Sequence, residues 1–258
     1  MISARNVKSI LLAAAFGSLA FCGLANADQK PAMAVPGKVL FEDDFSRSEL
    51  PPKWKLGKGF FAINDGVVTV TENPADNHGA YFKAPFAYKD IVAEFAFKFD
   101  GAKSFNFGVD DLSYKGSHAG HICRVVVTPT QVNLGDSKNG SMKNEVYEKM
   151  KDPKTTPEEK KKINESIKPL TSIYKVKLDT AVWHKMRVEI VGDEMLATID
   201  GAPVGYLKAP GVAHETKALM GFTVTGKSTL LDNVKVWEAT ASPEWAMNKD
   251  AVLAAMKK

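Results

Sequence analysis

The sequence predicts an all-β chain: an antiparallel two-sheet jelly-roll sandwich with a helical insertion and a C-terminal helix. Two observations predict it. Short runs of β-forming residues, separated by turn residues, recur from about residue 39 to 238. The best of them alternate strictly between apolar and polar positions. In Ile91–Phe99 the residues Ile91, Ala93, Phe95, Phe97 and Phe99 share one face and Val92, Glu94, Ala96 and Lys98 the other, the period of a half-buried strand.

The elements follow in order. Val39-Leu40-Phe41 opens the series. Phe60–Ile63 and Val67–Thr71 flank Asn64-Asp65-Gly66, a hairpin signal because Asp-Gly tolerates positive φ. Phe105, Phe107 and Val109 repeat the alternation, with Asn106, Gly108 and Asp110 opposite. Further strands are expected at 122–128, 131–134, 173–178, 185–191, 195–200, 203–207, 218–225 and 229–237. Residues 137–172 break the rhythm with nine Lys, six acidic residues and few large apolar groups, which reads as a solvated insertion. Within it Thr156-Pro157-Glu158-Glu159 combines a cap, a first-turn proline and a capping-box acid, predicting a helix to about Ile167. Ser242-Pro243 begins a closing helix whose Trp245, Val252, Leu253 and Met256 form an apolar stripe.

The 258 residues, 45% hydrophobic and 25% charged, have ordinary globular composition, enough for one large β domain. Residues 1–27 read as a signal peptide: Arg5 and Lys8, an apolar run from Ile10, then Ala25-Asn26-Ala27 before a cut at Asp28. The expected organisation is signal peptide 1–27, linker 28–38, jelly roll 39–238 and helical tail 239–258. That implies a secreted or periplasmic protein with no membrane segment after cleavage. The net charge of +4 includes Arg5 and Lys8, so the mature chain is too weakly basic to imply a nucleic-acid partner. Loss of Cys22 leaves Cys123 alone, in an apolar run where a buried, inert thiol is expected.

Gly221-Phe-Thr-Val-Thr-Gly226-Lys227-Ser228 matches the phosphate-loop pattern, but β-forming residues stand where a helix must follow. The string reads as two strands around a turn, with no nucleotide bound. The carboxylate triplet Glu-x-Asp-x-x-Glu of sandwich glucanases does not occur, which argues against the usual double-displacement hydrolysis. The chain's clustered His/Asp/Arg set lies between Asn106 and Arg124. From it we expect His118 or His121 as base or divalent-metal ligand, Asp110 as ligand or orienter, and Arg124 as the cation for hydroxyls or an oxyanion. Glu94, Asn106, Lys115, His214 and Lys217 are the expected substrate-binding residues. Asp43 and Asp232, with Asp44, lie near the first and last strands and are candidate calcium ligands. Trp183 is expected to anchor the core, with His184 making local bonds.

Leu40–Ser46, Trp54, Ile63–Gly66, Trp183–Ile190, Ile199–Gly201, Gly221-Phe222 and Leu231–Trp237 resemble the opening, central and closing strands of concanavalin A-like/laminin G-like jelly rolls. Within that superfamily, 39–238 is most similar to bacterial secreted 3-keto-disaccharide hydrolase (3-keto-glucoside lyase/hydratase) domains, which are glycoside hydrolase family sixteen-like. The resemblance implies a saccharide or glycoside partner and, if the domain is catalytic, proton abstraction from or hydration of a keto-sugar. The chain departs from the pattern at Asn106-Phe107-Gly108-Val109, where these domains carry an Asn-Ser-Gly-Ile-like strand, and in its insertion. The alternatives are a non-catalytic glycan-binding module and an interaction module using the basic insertion.

Overall fold

The computed structural model describes residues 32–256, so the signal peptide expected at 1–27 lies outside the described residues. The chain folds as two antiparallel sheets packed face to face, with three α-helices among the described residues. In chain order the strands before the insertion are β1 (Ala34–Asp43), β2 (Lys55–Leu56), β3 (Phe60–Asn64), β4 (Val67–Thr71), β5 (Ala80–Tyr88), β6 (Ile91–Asp100), β7 (Ser104–Asp110), β8 (His121–Val127) and β9 (Gln131–Asp136). Helices α1 (Asn144–Lys151) and α2 (Pro157–Ile167) form the insertion. There follow β10 (Thr171–Lys175), β11 (His184–Val191), β12 (Glu194–Ile199), β13 (Ala202–Lys208), β14 (Lys217–Thr225), β15 (Ser228–Ala241) and α3 (Trp245–Ala255).

The first sheet runs β13-β12-β11-β6-β15-β4-β3, with β1 also on β15, and the second runs β10-β9-β8-β7-β14-β5-β2. The alternation in β6 decides how they meet. Phe95, Phe97 and Phe99 point inward from the first sheet and meet Phe105 and Phe107 of β7 and Phe222 of β14 from the second. Phe97 and Phe105 lie 4.7 Å apart, and Phe95 meets Phe222 edge-on at 4.9 Å. Such offset and edge-to-face pairs add about 0.5–1.5 kcal/mol each beyond the area they bury. Turn chemistry also follows the sequence: Asp65 and Gly66 take φ of 50° and 78° between β3 and β4.

The structure corrects three sequence expectations here. Residues 34–38 are strand, not linker: β1 starts at Ala34 opposite Ala241, and a register shift between Pro36 and Val39 absorbs the Pro-Gly pair. Trp183 is 43% exposed and does not anchor the core. His184 shares inward parity with Met186 and Val188 and packs on Phe97 at 5.3 Å, which turns the preceding residue outward. The tryptophan of the inter-sheet core is Trp54, which sits 4.5 Å from Phe82 and donates its indole N–H to Asp43 at 2.7 Å. The third correction is a strand not anticipated, β5, where Lys83 and Pro85 hide the pattern. Neighbouring β2 pairs only with Lys83 and Phe82, so Pro85 falls where that edge is unpaired and opposite a register shift.

The expected closing helix is present. Trp245 and Val252 of α3 cover Leu196 and Tyr206 on the outer surface of the first sheet, and the Trp245 indole N–H donates to Glu194 at 2.7 Å. Helix α2 carries the expected capping box: the Glu159 amide donates to Thr156 Oγ1 and the Thr156 amide to Glu159 Oε2. No helix of the described residues is long and apolar enough to cross a membrane.

Candidate functional site on the outer face of the second sheet

With Phe105, Phe107 and Val109 facing the core, β7 must present Asn106, Gly108 and Asp110 outward. Register then builds a row across the sheet. Gly135 of β9 stands opposite Arg124 of β8, Arg124 opposite Gly108, Gly108 opposite Gly221 of β14, and Gly221 opposite Lys83 of β5. Three of these five positions lack a side chain. A Cβ at Gly221 would strike the Lys83 side chain at 2.7 Å, so the lysine stem lies across that glycine. A Cβ at Gly108 would meet nothing nearer than 3.9 Å, which leaves open floor between Arg124 and Lys83.

One end of this floor carries a polar chain. A register shift between Val109 and Asp110 sets Asp110 opposite His121. His121 donates from Nδ1 to Asp110 Oδ1 at 2.6 Å, and Lys83 Nζ donates to Oδ2 at 2.6 Å. The carboxylate is only 3% exposed, whereas the His121 side chain is 33% exposed. Burial alone would raise the Asp110 pKa, but the hydrogen bond from His121 and the charge of Lys83 outweigh it and hold the carboxyl below its ordinary value. An ionised Asp110 fixes the proton on Nδ1 and leaves the Nε2 lone pair of His121 free, the arrangement of an oriented general base. The loop between them is tied by the Asp111 amide to the Gly120 carbonyl at 2.8 Å. Gly120 has φ of 70°, and a Cβ there would collide with the Asp111 carbonyl at 2.1 Å.

The insertion forms one wall. His118 stacks on Tyr147 of α1 at 3.8 Å and 12°, and its ring lies 6.3 Å from His121. Burial, then His121 whenever it is protonated and the positive charge of Lys151, lowers the His118 pKa and favours the neutral ring. Arg124 donates to Ser141 Oγ at 3.2 Å in the loop before α1. On the opposite side His78 packs edge-on against Tyr81 at 5.4 Å, with Lys83 Nζ over the tyrosine ring. Asn106 lies further along the floor, opposite Thr223.

Asp110, His118, His121, Arg124 and Asn106 therefore share one face, and the other expected site residues do not. Glu94 lies on the outer face of the first sheet, paired with Lys185 at 2.7 Å and Arg187 at 2.8 Å, beside a cleft of about 800 Å³ that Trp183 also lines. Lys115 is exposed and donates to the Leu112 carbonyl. His214 is held between Asp111 at 3.0 Å and Lys138 at 3.1 Å, a loop-to-loop clasp. Lys217 is only 1% exposed and donates to the carbonyls of Lys89 and His214, so it reaches no ligand.

The calcium expectation fails at both carboxylates. Asp43 accepts from the Phe45 amide, Trp54 and Arg47, with Lys53 at 3.4 Å, so a dication would have to displace two cations. Both oxygens of Asp232 accept from Asn233. Nor does the His/Asp cluster offer a divalent-metal site, because the oxygens of Asp110 are committed to Lys83 and His121. Among the described residues no group of three or more His, Cys, Asp or Glu is placed to hold a metal. Cys123 is buried with its thiol pushed up to about 12 by burial, which excludes a nucleophilic role. Gly221–Ser228 bridges β14 and β15 through a turn with Gly226 at φ of 101°, and no helix follows.

Sequence reasoning missed Lys83, because β5 was not anticipated, and Tyr147, because α1 starts at Lys143–Asn144 with no side-chain cap to announce it.

No family model matches the chain, and no curated protein matches it. Solved structures do. Porphyranase B from Zobellia galactanivorans is 13% identical with a TM-score of 0.53, over 79% of this chain and 93% of that one. A laminarinase from Flavobacterium sp. UMI-01 is 10% identical with a TM-score of 0.51, over 78% and 100%. The endo-β-1,3-glucanase of Pyrococcus furiosus is 10% identical with a TM-score of 0.50, over 82% and 100%. The chain has the concanavalin A-like jelly-roll fold. At such identities the likeness fixes the fold and leaves activity to be argued from the site.

Proposed function

We propose that this chain is a secreted or periplasmic carbohydrate-active domain that takes a saccharide on the outer face of β7 and β8, with His121 as general base. The observation that carries the reading is the Lys83–Asp110–His121 chain at the edge of the open floor over Gly108. The floor holds one buried carboxylate, already bonded to Lys83 and His121, so the two-carboxylate chemistry of retaining or inverting glycosidases lacks its second member there. An imidazole oriented by a buried carboxylate suits proton abstraction next to a carbonyl instead.

The substrate class that fits, and that the sequence resemblance suggests, is a 3-keto-glycoside. His121 Nε2 takes the proton from C2, and the C–H electrons move onto the C3 carbonyl oxygen as an enolate stabilised by Lys83. The enolate re-forms the carbonyl as the C1–O bond breaks, and the departing oxygen receives the proton that His121 holds. The product is an unsaturated keto-sugar, to which water can add.

The test is incubation of a 3-keto-glycoside panel in deuterated water. The wild type should exchange deuterium into C2 and generate an ultraviolet-absorbing enone, and His121→Ala should lower the rate by about 10²–10⁴. Full exchange by His121→Ala would sink the assignment. Saccharide binding with no exchange would favour the glycan-binding module, a reading also supported by the outward polar residues Asn106 and Thr223.

A further inference from the structure

We infer that the saccharide is acidic, and that Arg124 receives its carboxylate or sulfate group. The inference rests on the saccharide reading above and narrows it. Three arginines fall within the described residues. Arg47 pairs with Asp43, and Arg187 pairs with Glu94 and Glu189. Arg124 has no carboxylate partner among the described residues, and its hydrogen bond to a protein acceptor is the one to Ser141 Oγ at 3.2 Å. Its position is half-buried on the outward face of β8.

A guanidinium removed from water without a counter-charge is costly, and burial does lower the Arg124 pKa with no opposing contribution. Its remaining N–H donors have somewhere to point. Gly135 and Gly108 flank Arg124 in the same cross-strand row, and a Cβ at either would meet nothing nearer than 4.0 and 3.9 Å. The planar fork therefore lies beside open floor on both sides, where a carboxylate or sulfate can accept two parallel hydrogen bonds.

The surroundings have the same sign. Lys83 stands across the floor, and Lys151 acts on His118 at the α1 wall. The negative groups here are Asp110, already bound to Lys83 and His121, and Glu148 near His118. A neutral sugar would leave the Arg124 charge uncompensated as it covered the floor; an anionic group would neutralise it.

The experiment is calorimetric titration of wild type, Arg124→Gln and Arg124→Lys with three trisaccharide probes. These are an oligogalacturonide, a sulfated galacto-oligosaccharide and their uncharged galactose counterpart, with melting curves to check folding. Wild type should prefer at least one acidic probe over the neutral one by about ten- to a hundredfold, and the better acid tells carboxylate from sulfate. Arg124→Gln should erase the preference and Arg124→Lys should restore part of it. Equal affinity of wild type for acidic and neutral probes would overturn the inference and leave the saccharide reading standing. A preference that survives in folded Arg124→Gln would also overturn it. Failure of every probe, neutral included, would overturn the inference, and the 3-keto-glycoside panel above decides the saccharide reading separately.

Discussion

Replacing Asp110 by Asn tests the polar chain at its centre. The substitution keeps shape but removes the charge that Lys83 and His121 share, one 2.6 Å from each oxygen. Breaking a fully buried ion pair costs about 3–5 kcal/mol, but here the partners are partly hydrated, with Lys83 20% and His121 33% exposed, so about 2–3 kcal/mol is expected. For a chain of this size that is a fall in melting temperature of about 4–12 °C. The pH dependence has a definite sign. Because the folded-state pKa of Asp110 is lowered, its contribution is complete above the ordinary carboxylate pKa of about 3.9 and is lost as pH falls through the folded value. The gap between wild type and Asp110→Asn should thus be full near neutral pH and shrink in acid. On a confirmed substrate the rate should also drop by about 10²–10⁴, since Asn can hold His121 in the wrong tautomer. Calorimetry across pH with rate measurement checks both. An Asp110→Asn protein that melts like wild type at neutral pH and keeps its rate would refute the reasoning.

Three further outcomes follow from the same geometry. Gly108→Leu should fold and melt within about 2 °C of wild type, because its outward position meets nothing nearer than 3.9 Å, yet lose at least tenfold in saccharide affinity by calorimetry. Trp54→Ala should cost about 3–5 kcal/mol in denaturant unfolding, whereas Trp183→Ala, at an exposed position, should stay within about 1 kcal/mol. For His184, burial lowers the pKa but the hydrogen bonds to Asp200 and the Asp179 carbonyl outweigh it, so its folded pKa is raised. Its stabilisation is full below about pH 6.5 and disappears as pH rises through the folded value. Wild type should therefore lose melting temperature above that pH relative to His184→Gln.

How much of this was legible depended on whether a residue's role was local. The strict alternation of Ile91–Phe99 and the Asp65-Gly66 turn report backbone geometry within a few residues, and both appear in the fold as read. The Thr156–Glu159 box is local too, and α2 starts on it. Pro85 disguised β5 because its tolerance depends on the unpaired edge beyond β2, and Lys83 because its place is across Gly221 of the next strand; only the assembled sheet defines either. The same limit governs the site. Asp110, His118, His121 and Arg124 flank one hairpin loop, so their clustering was visible in the sequence. Glu94 and Lys217 required knowing which sheet and which face each occupies: one lies on the opposite sheet and the other is sealed inside. Tyr147 reaches His118 only because the charged insertion folds back onto the 116–118 loop, a contact between segments that share no pattern.

The central claim is that the open floor over Gly108, between Arg124 and Lys83, is where this protein meets a saccharide. Amide and imidazole NMR shifts during titration with an acidic oligosaccharide test it most directly. The account predicts perturbations centred on Asn106, Gly108, His121, Arg124 and Thr223. Perturbations centred instead on Trp183, Glu94 and Trp237 in the cleft of the first sheet would contradict it.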